Sequence, residues 1–242
     1  MDVLITGASR GIGRAIAERF GRDGHRVLVG YLRNEAQAEA TCEQIRATGG
    51  LAWPVAGDVR NPEALKGLVE AARSRFGGLD VLVQNAAIGA LKPADRLRVS
   101  HWDLTLESSL RPFWLLTKLA LPILRDGGSV VGLSSLGSVR YTPGYAAMGA
   151  AKAGLEALTR QLAVELAPRL RVNSVRGGLV RTDALTAFPD GETLAAEVEA
   201  GTPLGALATT DDLAEAVAFL ASDAARAITG QVVVVDGGFS AR

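Results

Sequence analysis

Two groups of residues in this chain have types and spacings that do chemistry. The first is Thr6-Gly7-Ala8-Ser9-Arg10-Gly11-Ile12-Gly13, a glycine-rich turn between an apolar run and a helical pattern. Glycines at such a turn let backbone approach a pyrophosphate closely, and the N–H groups that open the following helix receive its charge. The second is Tyr145 and Lys152, seven residues apart. Seven residues are almost two helical turns, so phenol and ammonium share a face if one helix extends over both. A phenol beside a fixed positive charge is a proton donor of lowered pKa. Tyr141 lies in the same stretch and is a rival donor.

The elements that must position these groups can be read from hydrophobic period. Candidate strands are Val3–Thr6, Arg26–Gly30, Ala52–Ala56, Val81–Gln84, Ser129–Leu133, Arg171–Val175 and Gln231–Val235. Their near-continuous apolar character suits strands buried on both faces of a parallel sheet. Helical patterns lie between them. Asn61-Pro62 offers a cap followed by proline at the first helical position, and Gly77-Gly78 stops that helix. Ser100-His101-Trp102-Asp103 reads as the capped start of a long helical segment running to about Arg125. No linker or repeat interrupts the alternation. It predicts an α/β chain: one Rossmann-type domain over residues 1–242, a doubly wound parallel sheet of about seven strands with helices on both faces. The stretch Thr182–Pro203 breaks the rhythm, carrying Leu185, Phe188, Leu194 and Val198 among polar residues. It reads either as an ordinary helical connection or as a lid over an apolar substrate.

Composition excludes several classes. The 242 residues carry 26 basic and 26 acidic side chains, so no net field draws the chain to nucleic acid or to an anionic membrane. Lysine occurs only at 66, 92, 118 and 152, which makes Lys152 a scarce residue type. Cys42 is the single cysteine, forms no internal disulfide and fits a reduced cytoplasm. No apolar run reaches the roughly 18 residues that span a bilayer, and the first residues show no signal pattern. His25 and His101 belong to no Cys/His cluster, so no metal is expected.

The end of the second strand bears on which dinucleotide the turn suits. An acid there, about 20 residues past the glycines, accepts from a ribose 2′-hydroxyl in NAD enzymes. Here the strand ends Val29-Gly30-Tyr31-Leu32-Arg33, without an acid. Arg33 and Arg10 have the charge and the forked geometry for a 2′-phosphate, which points to NADP(H); the alternative is two solvated arginines.

Over essentially its whole length the chain resembles the short-chain dehydrogenases/reductases. Thr6–Gly13 matches that family's glycine turn; Asp58-Val59 matches the pair that holds adenine. Asn85-Ala86-Ala87 stands where the family has N-A-G, Gly177-Gly178 stands for its P-G, and Thr182 matches a threonine that helps hold the carboxamide. Asp236-Gly237-Gly238 after a valine strand is also typical. The resemblance implies that Lys152 binds ribose hydroxyls and that Ser135 holds substrate. It also implies a homotetramer built through the two long central helices. The family's usual donor lies four residues before the lysine, where this chain has Met148, and its usual asparagine is replaced by Ser109.

A divergent branch, the bacterial enoyl-acyl-carrier-protein reductases, is more similar at these points. It has the Tyr-x₆-Lys spacing of Tyr145 and Lys152, and Leu133 through Tyr141 resembles its catalytic segment. Ser109, Asn85-Ala86-Ala87-Ile88-Gly89 and His101-Trp102-Asp103 look like its NADPH-dependent subtype, as do Thr182-Asp183-Ala184-Leu185 and Phe188-Pro189. The resemblance implies NADPH-dependent reduction of an enoyl thioester, free or carrier-bound, in fatty-acid synthesis. In such a substrate hydride enters the β-carbon and charge collects on the more distant thioester oxygen, which suits a displaced donor. The rival readings are reduction of a 3-oxoacyl thioester or another carbonyl, and an NADP(H)-binding sensor or scaffold with weak activity.

Overall fold

Runs that are apolar on both faces become strands only where helices cover both faces. The computed structural model, which describes residues 1–188 and 190–242, has seven of them. They are β1 (Asp2–Thr6), β2 (Arg26–Tyr31), β3 (Leu51–Ala56), β4 (Leu79–Gln84), β5 (Leu124–Ser135), β6 (Arg171–Gly177) and β7 (Val232–Val235). All pair in parallel, in the order β3-β2-β1-β4-β5-β6-β7. Each expected strand is present, several extended by a few residues.

Among the described residues eight α-helices connect the strands: α1 (Gly11–Arg22), α2 (Glu35–Ala47), α3 (Pro62–Phe76), α4 (Val99–Ser109), α5 (Arg111–Ala120), α6 (Ala146–Glu165), α7 (Gly191–Gly201) and α8 (Thr210–Ala221). Alternation along β1 sends Val3 and Ile5 into one core and Leu4 into the other. The first core adds Ile16, Phe20, Val217 and Leu220 from α1 and α8; the second adds Leu65, Leu68, Phe113, Leu116 and Leu155 from α3, α5 and α6. Cys42 lies in the first core, where burial pushes its thiol up to about 12. No helix among the described residues is long and apolar enough to cross a membrane.

The caps of α3 are as expected: the Asn61 side chain accepts from the Glu63 and Ala64 N–H groups, and Gly77 ends the helix at φ 74°. The long segment after residue 98 differs. It begins at Val99, where the His101 ring accepts from the Arg98 N–H, so Ser100 lies inside the helix and caps nothing. It also divides at Leu110 (φ −116°, ψ −58°) and ends at Ala120, well before Arg125. Pro112 in the first turn of α5 explains the division, since its ring lacks an N–H and excludes the carbonyl four residues back.

The order reverses across β1 and β4: β1 leads outward to β2 and β3, β4 outward to β5, β6 and β7. Their carboxyl ends are joined by side chains. Thr6 Oγ1 accepts from the N–H groups of Asn85 and Ala86, while Asn85 Nδ2 donates to the carbonyls of Thr6 (3.1 Å) and Gly7 (2.9 Å). Gly13 enters this joint so closely that a Cβ would run into the Gly7 carbonyl and the Asn85 amide. Gly13→Ala should therefore destabilise the protein by about 1–3 kcal/mol through backbone displacement. Chemical denaturation checks this, with Gly67→Ala as a control, because a Cβ at Gly67 meets nothing within 4 Å.

Candidate active site

At the carboxyl ends of the strands lies a cleft of about 1540 Å³, larger than the usual site for one small molecule. One end is walled by Thr6, Gly7, Ser9, Arg10, Gly11, Ile12 and Gly13. Gly7 (φ 64°) and Gly11 (φ 56°) make the turn that brings this backbone to the cleft. Arg10 precedes α1 but its side chain caps none of the first-turn N–H groups, and no acid stands in that turn. The helix therefore offers uncompensated donors and positive dipole to an anion. Arg33 lines the same end beside Tyr31, Leu32 and Asn34, with Val59, Asn85, Ala86 and Ala87 further along.

Asp58 departs from expectation. Its carboxylate is gripped by the forked guanidinium of Arg60 (2.6 Å from Nη2, 3.0 Å from Nε) and by the Arg60 N–H, which holds it below the usual carboxylate range. Val59 and Arg60 form cleft wall, and Asp58 stands behind them in this ion pair. Arg10 lies 3.4 Å from Asp183, both largely exposed, a surface pair of small energetic weight.

The other end gathers Ser135, Tyr145, Met148, Lys152, Gly178 and Thr182. Tyr145 is the N-cap of α6 (φ −97°, ψ 11°), following Gly144 at φ 69°: its carbonyl accepts from the Gly149 N–H at 2.6 Å and closes the first turn, so the helix reaches from Tyr145 to Lys152 but has no turn before the tyrosine. Its ring lies against Gly137, where any Cβ would strike it, and stacks on Phe188 with centroids 6.1 Å apart and planes at 14°. Burial pushes the phenol pKa up, while a hydrogen bond with the Ser135 hydroxyl pulls it down. The net shift is upward, opposite to the lowering expected from Lys152, because desolvation outweighs the Ser135 hydrogen bond. Lys152 is only 6 % exposed and donates to the Leu133 carbonyl at 2.6 Å; burial depresses its pKa to about 8. Tyr141 also borders the cleft but is 89 % exposed.

Met148, in the position four before the lysine, packs its methyl group on Gly89, which has no room for a Cβ. Ser109 is buried and its hydroxyl donates to the Ile88 carbonyl at 3.2 Å. The stretch after Thr182 forms a 3-10 turn (Asp183–Ala187) and then α7, and Leu185, Phe188, Leu194 and Val198 all border the cleft. Pro189 lies outside the described residues. Sequence reasoning missed Leu91 and Leu104 as wall residues, and missed the roles of Gly89 and Gly137, whose only signal was glycine outside a turn motif. No group of three or more metal-ligating side chains occurs among the described residues.

A lysine that loses its proton near pH 8 gives the site a titration within reach. Lys152 is charged below that pH and neutral above it, so a reaction that uses the ammonium should lose kcat/KM as pH rises through about 8. Lys152→Arg, charged throughout, should lower the maximum and remove this limb. A wild-type profile flat from pH 7 to 9 contradicts the role.

A sequence model of the family described as Enoyl-(Acyl carrier protein) reductase matches residues 7–240. The chain is 40 % identical over 244 residues to a 1-cyclohexenylcarbonyl-CoA reductase of Streptomyces collinus, covering 98 % of this chain and 86 % of the relative. It is 37 % identical over 240 residues to the 3-oxoacyl-(acyl-carrier-protein) reductase FabG of Staphylococcus aureus, covering 98 % of this chain and 97 % of that one. Among solved structures, a short chain dehydrogenase of Burkholderia cenocepacia in complex with NADP superimposes with a TM-score of 0.92 at 33 % identity, covering 98 % of this chain and 97 % of that one. With its glycine turn, its reversed strand order and its tyrosine–lysine cleft, the chain belongs to the short-chain dehydrogenase/reductase family of oxidoreductases.

Proposed function

We propose that this oxidoreductase uses NADPH to reduce the 2,3 double bond of an enoyl thioester, carried by acyl carrier protein or coenzyme A. The observation that carries the reading is the donor arrangement: Met148, which cannot give a proton, fills the family's usual donor position, and Tyr145 lies half-buried in the cleft, hydrogen-bonded to Ser135. The relative from Streptomyces collinus supports it, since a 1-cyclohexenylcarbonyl thioester is itself a 2-enoyl thioester.

The residues fit a dinucleotide. Uncapped N–H groups of α1 suit the pyrophosphate, and Arg10 and Arg33, with no acid at the end of β2, suit a 2′-phosphate. Thr6, Ser9, Asn85, Ala86, Ala87, Val59, Gly178 and Thr182 line the path between that end and Lys152. When bound, NADPH supplies a hydride to the β-carbon, and charge then builds on the thioester oxygen. Tyr145 donates its phenolic proton toward that oxygen, and Ser135 orients the same group. Lys152 holds ribose hydroxyls and keeps positive charge behind the phenol. The apolar side chains of α7 and the turn before it exclude water from the acyl chain. The proposal includes a homotetramer formed through α4–α5 and α6, which carry the exposed Trp114 and Val164.

The relationship to FabG favours a second reading, reduction of a 3-oxoacyl thioester. Crotonyl- and acetoacetyl-thioesters, each followed by NADPH consumption, separate the two. The enoyl substrate should be turned over faster, and Tyr145→Phe should lower that rate by about 10²–10⁴-fold with NADPH affinity little changed. Turnover of acetoacetyl-thioester alone selects the second reading, and activity kept in Tyr145→Phe but lost in Tyr141→Phe moves the donor role.

Replacing Arg10 and Arg33 together by alanine should weaken NADPH far more than NADH, each charged hydrogen bond being worth about 1.5–3 kcal/mol. Equal loss for both cofactors in a binding titration contradicts the phosphate clamp.

A further inference from the structure

Behind the cleft lies a charged group for which the proposed chemistry has no use. Glu156, one turn past Lys152 on α6, is 5 % exposed. Its Oε1 accepts from Ser134 Oγ at 2.6 Å, Ser138 Oγ at 2.7 Å and Arg176 Nε at 2.9 Å; its Oε2 accepts from the second arm of Arg176 at 2.6 Å. Arg176 is itself mostly buried. A buried carboxylate with four such donors is ionised and fully satisfied, and Arg176 and the two hydroxyls hold its pKa below the usual range. Held by donors alone, it serves as their anchor rather than as a group that moves a proton.

Its four donors come from three places around the site. Ser134 precedes Ser135 at the end of β5, and Arg176, opposite Ser134 in the sheet register, precedes Gly177-Gly178 at the end of β6. Ser138 closes the 3-10 turn Leu136–Ser138, whose Gly137 is the seat of the Tyr145 ring. Tyr145 is the cap residue, with no helical turn before it to pack on, so its ring is oriented by its neighbours, Gly137 on one side and Phe188 on the other.

We propose that Glu156 is a positioning residue: through Ser138 it fixes the turn that seats Tyr145, and through Ser134 and Arg176 it ties that turn to the strand ends bearing Ser135 and Gly178. The inference rests on Tyr145 as the donor. Glu156 lies eleven residues beyond Tyr145, roughly 16 Å along the helix, and acts on it only through the turn.

The two serines give the test, because both donate to the same oxygen of one carboxylate at nearly equal distances. A purely structural tie makes Ser134→Ala and Ser138→Ala equivalent. A positioning role makes them unequal. In Ser138→Ala, kcat with crotonyl- or acetoacetyl-thioester, whichever the wild type reduces, should fall about tenfold while the KM for NADPH stays within about twofold. Ser134→Ala should keep kcat within about twofold, and Ser138→Thr, which keeps the hydroxyl, should restore the rate. Glu156→Gln should lose activity too; the serine variants decide the matter even if that protein fails to fold.

A second readout does not depend on catalysis. The chain has three tyrosines, Tyr31, Tyr141 and Tyr145. In protein labelled with 3-fluorotyrosine, the Tyr145 signal, identified by its loss in Tyr145→Phe, should shift or broaden in Ser138→Ala and stay in place in Ser134→Ala. Equal kcat losses in the two alanine variants, or an unmoved Tyr145 resonance in Ser138→Ala, overturn the proposal. Full activity in Tyr145→Phe instead removes the donor reading, while the fluorine signal still judges whether Glu156 sets the ring.

Discussion

The joint between the ends of β1 and β4 is the constraint on which the rest of the site depends. Two parallel strands that are neighbours in the sheet send their chains away in opposite directions, and the crevice between those departures is where an α/β sheet opens to a ligand. Opening it exposes backbone groups that the ladder no longer pairs. Thr6 and Asn85 restore those partners with one hydroxyl and one amide, and Gly13 lets α1 come down onto the joint without a side chain in the way. The anion-receptive start of α1 is thereby held beside the ends of β4 and β5. Cofactor end and catalytic end are two walls of one cleft for that reason.

Burial at the catalytic end has opposite consequences for its two titrating groups. It raises the Tyr145 phenol and depresses the Lys152 ammonium to about 8, driving apart two pKa values that ordinarily lie close together. The lysine's charge is unfavourable to the fold. Between pH 8 and its unfolded value near 10.5, the unfolded chain keeps a proton that the folded chain has released, so stability rises with pH across that window. Below pH 8 the folded protein carries the full cost, on the order of 3 kcal/mol, offset in part by the Leu133 carbonyl. A buried ammonium facing a carbonyl, with no carboxylate among the partners found for it, is the kind of local expense that marks a functional position.

Placing the tyrosine at the cap rather than within the helix has a consequence of its own. A tyrosine on the regular face of α6 inherits its direction from the helix. A tyrosine at the cap inherits it from a glycine turn and a stacked phenylalanine, so its precision depends on how well those neighbours are held. The vacated position is filled by Met148, a flexible apolar side chain that adapts to the gap over Gly89. That end of the cleft is more apolar as a result.

Much of this was legible in the chain itself. The seven strands, the phosphate-receptive turn, the Asn61 and Gly77 caps of α3 and the four apolar residues that face the cleft after Thr182 all follow from patterns within about ten residues of each other. Such patterns survive folding because their cause, backbone geometry or hydrophobic period, is local. Two departures were just as local but lay in single residues that hydrophobic period does not weigh: Pro112 divided a helix that period alone ran through to Arg125, and Arg60, two residues on, took the carboxylate of Asp58. Others were decided by partners distant in sequence. Tyr145 is covered by Gly137 and Phe188 while Tyr141 is left exposed. Glu156 and Arg176, twenty residues apart, meet only because the register of β5 and β6 places Arg176 opposite Ser134 and α6 lies across both strands. A side chain's type says what it can bond to. Which partner it finds depends on strand register and helix placement, and those are properties of the packed sheet.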